Sequence, residues 1–262
     1  MRLTILGLAL LAIRPLAGQT IAQEIATGDS LEAALDPATA LRHYQTALSL
    51  DSTTFEALWK ASRSIINIAK QIDDHPDTLR RRRDSLYLAA RVLAERATTV
   101  APNRAEGHAM LAQALGRLSR TRGGKERVRF AQVIYDEASR AIALDSTSDV
   151  AYHVLGAWHA EVLRLSSFQR FFAKALFGAG FLDRATWTDA RRDLERAVAL
   201  RPGYIFHRLE LAEIDNDVGQ YAAARAQLDT IRWLPATDVL DGPYRERAAA
   251  LLEQLHGKRD RS

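Results

Sequence analysis

Cysteine is absent from this chain of 262 residues. That excludes disulfides, thiolate-bound zinc, iron–sulfur clusters, a cysteine nucleophile and a lipid-modified N-terminal cysteine. Glycine (14) and proline (7) are scarce, which argues against an all-β chain or one that cradles a dinucleotide on Gly-rich turns. The net charge is only +4, from 36 basic and 32 acidic residues. So small an excess does not create the concentrated basic field that nucleic acid requires, and none is expected as a partner. No apolar run reaches the roughly 20 residues that span a bilayer. What remains is 47% hydrophobic and 26% charged, the balance of a folded globular chain, long enough to bury a core.

The N-terminus reads as an export signal. Arg2 gives a short positive start, Leu3–Ile13 an apolar run, and Thr20-Ile21-Ala22 small residues before Gln23. Cleavage after Ala22 is expected, with residues 1–22 as signal peptide. The mature chain, about +2 after losing Arg2 and Arg14, would then be periplasmic or secreted, with no membrane span left. Arg14-Pro15 interrupts the run, and the competing reading is an uncleaved amphipathic helix.

The body repeats. Ala47-Leu-Ser-Leu-Asp-Ser52, Ala97-Thr-Thr-Val-Ala-Pro102, Ala141-Ile-Ala-Leu-Asp-Ser146 and Ala197-Val-Ala-Leu-Arg-Pro202 align without gaps. Seven residues before each leading Ala stands Ala40, Ala90, Ile134 or Ala190, and three before it Tyr44, Ala94, Ala138 or Leu194. Spacings of 4 and 3 place these on one helical face that permits close helix approach. Beyond each boundary come Ala61-Ser62, Leu111-Ala112, Leu155-Gly156 and Leu211-Ala212, small positions for a second helix. This is the tetratricopeptide pattern of paired antiparallel helices. The leading alanines lie 50, 44 and 56 residues apart, against a standard period of about 34. The extra residues fall near 66–80, 118–128 and 164–186 and imply longer helices or inserted elements.

Helices are expected near 22–34, 37–50, 54–72, 78–100, 103–119, 126–144, 148–165, 168–177, 187–200, 204–218, 220–232 and 242–256. Asp36-Pro37 reads as an N-cap followed by proline in the first turn, and Asp77 as a cap for a helix from Thr78. The fold class is therefore all-α: a tetratricopeptide solenoid over 23–257 with extended helices, an inserted helix between its last units, and a frayed tail at 258–262.

Residues 116–187 carry a sharper likeness. Gly116-Arg-Leu-Ser-Arg-Thr-Arg-Gly-Gly-Lys-Glu-Arg-Val128 precedes the third unit. Ala151-Tyr-His-Val-Leu-Gly-Ala-Trp-His159, Leu165-Ser-Ser-Phe168, Phe172-Ala-Lys-Ala-Leu-Phe-Gly178 and Ala185-Thr-Trp-Thr-Asp-Ala190 follow. This order resembles the regulator of microtubule dynamics family and its bacterial relatives, over most of 30–255. Where that family usually has Trp after Leu-Ser, this chain has Ser167-Phe168, and Ala157 stands where Arg is frequent. The resemblance implies a tetratricopeptide fold and no enzyme activity. Eukaryotic members are linked to microtubules and organelle contact sites, and one membrane-anchored member binds and transfers phospholipid. An exported bacterial relative would not meet microtubules.

Several motifs carry less than they suggest. Gly123-Gly124-Lys125 is not a phosphate loop, because Ser119 and Glu126 occupy the positions of the required Gly and Ser/Thr; a turn is the simpler role. The seven histidines are dispersed, with no HExxH, so neither a metal nor any other cofactor is implied. No nucleophile elbow is present. Arg80, Arg81, Arg82 and Arg83 point all round one helix and read as a solvated turn offset by nearby aspartates. With Arg117, Arg120, Arg122 and Lys125, Arg80 and Arg83 alternatively form a basic rim for an acidic headgroup or partner. Phe168, Phe171 and Phe172 share a helical face, with Phe177 and Phe181 beyond. They cover the core or lid an apolar cavity.

The first helix of each tetratricopeptide unit lines a concave groove. Projecting the register places Trp59, Arg63, Gln113, His153, Glu161, Glu213 and Asn216 there. The leading expectation is an exported, non-enzymatic scaffold that binds a protein or peptide segment in this groove. The alternative is a module for phospholipid or another apolar ligand, which requires an apolar cavity of about 300–1,000 Å³.

Overall fold

The computed structural model describes residues 17–261, with side chains from Thr20 onward. Residues 1–16 of the expected signal lie outside the described residues, and the expected cleavage point, Ala22/Gln23, falls within the first helix. Helices α1 (Ala17–Ala33), α2 (Pro37–Leu50), α3 (Phe55–Lys70), α4 (Asp77–Val100), α5 (Ala105–Ser119) and α6 (Gly124–Leu144) are followed by α7 (Asp149–Arg164) and α8 (Ser167–Phe177). A 3-10 turn at Gly180–Arg184 leads to α9 (Trp187–Leu200), α10 (Ile205–Asp217), α11 (Tyr221–Ile231) and α12 (Asp241–Gln254). Among the described residues there is no strand.

From α1 to α7, and again from α9 to α12, consecutive helices pack as hairpins, and α3, α5, α7, α10 and α12 also pack on one another in succession. They form the inner layer of a tetratricopeptide solenoid, with α2, α4, α6, α9 and α11 outside it. The repeat alanines explain the layering. Ala40, Ala47, Ala90, Ala94, Ala97, Ala138, Ala141, Ala190 and Ala197 are wholly buried at the crossings. Gly156 marks the tightest approach. A Cβ there would lie 1.9 Å from the Leu194 side chain and 2.9 Å from the Ala190 carbonyl oxygen, so glycine alone lets α7 and α9 touch.

The extra residues of the long units are now placed. They extend α4 to 24 residues and α6 to 21 residues and supply α8. Despite that insertion, α9 returns to pack on α7 while α8 leans on α6. A capping box of Ser166 and Gln169 starts α8, and Gly178 ends it with φ 65°, the left-handed conformation that glycine adopts without cost.

Asp36 caps α2 as expected, accepting from the Thr39 amide at 3.0 Å. Asp77 does not cap α4. It is the first helical residue and pairs with Arg80 at 2.9 Å. Residues 258–261, expected to fray, are instead tied to the start of α11. The Arg261 amide donates to the Gly219 carbonyl at 3.0 Å, and Asp260 accepts from the Ala222 amide at 2.8 Å. A long-range bridge brings distant units together. Lys70, at the end of α3, donates to both carboxylate oxygens of Asp238 in the α11–α12 connection, at 2.9 and 2.7 Å.

Candidate ligand site

The inner layer and α8 enclose a cavity of about 450 Å³. Its floor comes from α6 and α7: Val128, Ala131, Ile134, Val154, Trp158 and Val162. Trp158 is fixed there because its indole N–H donates to the Ala131 carbonyl at 2.8 Å and its ring packs on Tyr135, centroids 4.8 Å apart. Phe168, Phe172 and Phe177 of α8 form one wall, and Phe206 of α10 closes the far side.

Charged groups ring this apolar interior. Arg164 pairs with Asp217 at 2.7 Å and Glu161 at 3.3 Å. Arg247 of α12 pairs with Glu213 at 2.5 Å and lies 3.7 Å from Glu210. Burial, helped by the neighbouring Glu210 charge, pushes Glu213 up to about 7 against the pull of Arg247 and Arg164. Arg117 differs from these cations. Its guanidinium lies 5.2 Å over the Phe206 ring, and among the described residues no carboxylate oxygen comes within ion-pair distance of it.

Beside Phe206 runs a buried chain of polar groups. Asp149 accepts from His207 Nε2 at 2.9 Å, and His207 Nδ1 faces His153 Nδ1 at 3.0 Å. With the His207 proton committed to Asp149, His207 Nδ1 is the acceptor and His153 Nδ1–H the donor. Burial holds both imidazoles neutral, shifting His153 well below the ordinary histidine range and His207 downward against the opposing pull of Asp149.

Of the groove positions projected from the register, Gln113, His153, Glu161 and Glu213 line the cavity; Trp59, Arg63 and Asn216 do not. Trp59 and Arg63 stack on each other, 5.1 Å from guanidinium to ring, at the α1 end of the inner layer, where Arg63 faces Glu32 at 3.8 Å. Asn216 sits at the end of α10 near the α11 turn. The phenylalanines divide likewise. Phe168, Phe172 and Phe177 line the cavity, Phe171 faces solvent at 64% exposure, and Phe181 packs under Trp158 at 6.3 Å. The basic positions do not form one rim. Arg120 lines the cavity, Arg83 belongs to a second one described below, Arg80 pairs with Asp77, Arg122 approaches Glu126 at 3.9 Å, and Lys125 is exposed.

Among the described residues no group of three or more His, Asp or Glu is placed to hold a metal ion, and no helix is long and apolar enough to cross a membrane.

A profile for the proteins described as regulator of microtubule dynamics protein 1-3 matches residues 24–256. The chain belongs to the regulator of microtubule dynamics family. Regulator of microtubule dynamics protein 3 of Xenopus laevis is 27% identical over 201 residues, covering 76% of this chain and 41% of that protein. The rat protein of the same name is 24% identical over 202 residues, covering 77% and 41%. This family member thus spans about two fifths of the length of these curated relatives. A solved tetratricopeptide protein of Thermus thermophilus superposes with a TM-score of 0.61 at 18% identity, over 89% of this chain and 99% of that one. PilF of Pseudomonas aeruginosa gives 0.53 at 12% identity, over 93% and 95%. These two share the fold.

Proposed function

We propose that this family member is a non-catalytic binding module whose ligand is a segment of another protein, held with a large apolar side chain in the cavity between α5, α6, α7, α8 and α10. The observation that carries this reading is the cavity itself: an apolar interior of about 450 Å³ inside a ring of charged groups. The walls from α5, α6 and α7 are helices locked by buried alanines and the Trp158 hydrogen bond, so little ordering of these walls is needed on binding. Charged groups at the mouth fix the direction of the segment, and the apolar interior supplies affinity. The fold of the repeat relatives supports a scaffold role, and no feature of the cavity supports catalysis. His153 and Glu213 both line the cavity, yet among the described residues neither hydrogen-bonds a hydroxyl that it could activate. Residues 1–22 act as an export signal in this proposal, and the partner belongs to the exported proteome. Ala157 lines the cavity, and the variant Ala157→Trp fills it while leaving the outer helices unchanged. Partner capture by the wild type that Ala157→Trp loses supports the reading; capture that the variant retains overturns it.

A second reading has its own observation. The mostly apolar walls and the volume fall in the range of small-molecule sites, which suits phospholipid or another apolar ligand. Mass spectrometry of an organic extract of purified residues 23–262 separates the two. A stoichiometric lipid favours this second reading; an empty extract from folded protein favours the peptide.

A further inference from the structure

A second cavity of about 360 Å³ lies behind the first, between the end of α3, the start of α4, the end of α5 and the α11–α12 connection. Its wall holds the cations Lys70, Arg83, Arg117 and Arg120, with Tyr87 and Thr121 beside them. Asp74 is the carboxylate in that wall, and Arg83 already holds it in an ion pair. Lys70 is committed to Asp238, and the Thr121 hydroxyl donates to Asp84 at 2.7 Å.

The donors left over are numerous. Arg117 and Arg120 have no carboxylate within ion-pair distance among the described residues. Arg83 Nε is buried without a hydrogen-bond partner. Tyr87 is only 5% exposed, and its hydroxyl makes no hydrogen bond to a described residue. An arginine walled in by protein with no anion is costly. Arg117 keeps part of its surface accessible because it separates the two cavities and lines both. The unused donors outnumber what one carboxylate accepts. A tetrahedral dianion, with its additional oxygens, matches two guanidinium forks, an Nε–H and a phenol.

We propose that this second cavity binds a phosphoryl group, with Arg117, Arg120, Arg83 Nε and Tyr87 as its donors. The site does not depend on what occupies the apolar cavity. The group arrives either as free inorganic phosphate or as the head of a small phosphate ester. Because Arg117 and Arg120 also face the first cavity, an ester's apolar chain would run directly onto the Phe206 and Trp158 side.

The test is titration of the full chain with inorganic phosphate and, separately, with octyl phosphate. Binding is read by calorimetry and by the side-chain Nε–H signals of arginine in nitrogen-15 spectra. Arg120 is exposed and unpaired, so Arg120→Gln folds normally and should weaken phosphate about tenfold, the value of one charge-assisted hydrogen bond. Tyr87→Phe removes a hydroxyl without changing shape and gives a second, smaller loss. Arg232→Gln, on an exposed turn residue, is the charge control and should leave affinity unchanged. Saturable binding with this pattern supports the site. Tighter octyl phosphate then assigns it to an ester and equal binding to the free ion. A wild-type response matched by Arg120→Gln, or reproduced by chloride at equal ionic strength, overturns the proposal.

Discussion

Replacing Lys70 with methionine should loosen the α11–α12 connection from α3 and lower stability substantially. The side chains of Lys70 and Asp238 are 3% and 7% exposed and 2.7 Å apart. Asp238 also accepts from the Tyr204 hydroxyl at 2.7 Å and the Leu240 amide at 2.9 Å. Lys70 and these hydrogen bonds hold its carboxyl below the usual range against the opposing effect of burial. Removing the cation leaves that carboxylate buried and uncompensated, which costs about 3–5 kcal/mol. For a chain of this size the loss corresponds to a fall in Tm of about 6–20 °C. Asp238→Asn keeps the neighbouring contacts, so the double variant Lys70→Met/Asp238→Asn should lose about 1–3 kcal/mol less than the sum of the singles. The pH dependence has a definite sign. A carboxylate with a lowered folded pKa stabilises above its unfolded value, near 4, and that stabilisation disappears as pH falls through the folded value. The gap between wild type and Lys70→Met should therefore narrow in acid. Thermal unfolding, with hydrogen exchange across 232–254, measures both effects. A Lys70→Met protein within about 0.5 kcal/mol of wild type, the usual range for a surface change, would refute the reasoning.

Gly156→Ala should destabilise by about 1–3 kcal/mol through overpacking against Leu194, with partial recovery in Gly156→Ala/Leu194→Ala; chemical denaturation reads both. Glu213→Gln should leave stability unchanged near pH 4 and raise it near pH 8. A carboxyl raised to about 7 stabilises while protonated, and the contribution is lost as pH climbs through that value. The buried histidines act in the opposite direction. Their lowered folded pKa makes stability fall as pH drops below about 6.5, and His153→Gln should shallow that fall in pH-dependent melting curves. Expression with the native N-terminus should give an exported protein whose first residue is Gln23. Removal of residues 1–22 retains Ile25 and Leu31, which pack α1 against Ala40 and Tyr44; N-terminal sequencing of the exported fraction decides the point.

The repeat was legible because it is local. Alanines at spacings of 4 and 3 mark a helical face, and every one of them is buried where two helices cross. Gly156 was legible for the same reason. The inserted α8 showed as excess length between two recognisable units. The ligand cavity was only half legible. Register alone brought Gln113, His153, Glu161 and Glu213 together, but it treats the groove as continuous. Lys70 and Asp238 lie 168 residues apart, and no spacing rule pairs them. Their bridge draws the C-terminal units toward α3, leaving Trp59 and Arg63 outside and making a second cavity behind the first. Arg117 reads from sequence as part of a basic rim and not of the groove. The available signal was its spacing of three from Arg120, which puts both on one side of α5. The histidine chain gave no signal, since Asp149, His153 and His207 meet only when α7 and α10 pack.

Everything proposed for this protein's function turns on a partner segment binding in the cavity beneath α8. A photo-crosslinking amino acid placed at Phe172, which lines that cavity, and in a second protein at Phe171, one residue away and facing solvent, tests this directly. A defined partner peptide should crosslink from position 172, not from 171, and be lost when Ala157→Trp is added. Crosslinking that is equal from both positions, or that survives the filled cavity, would contradict it.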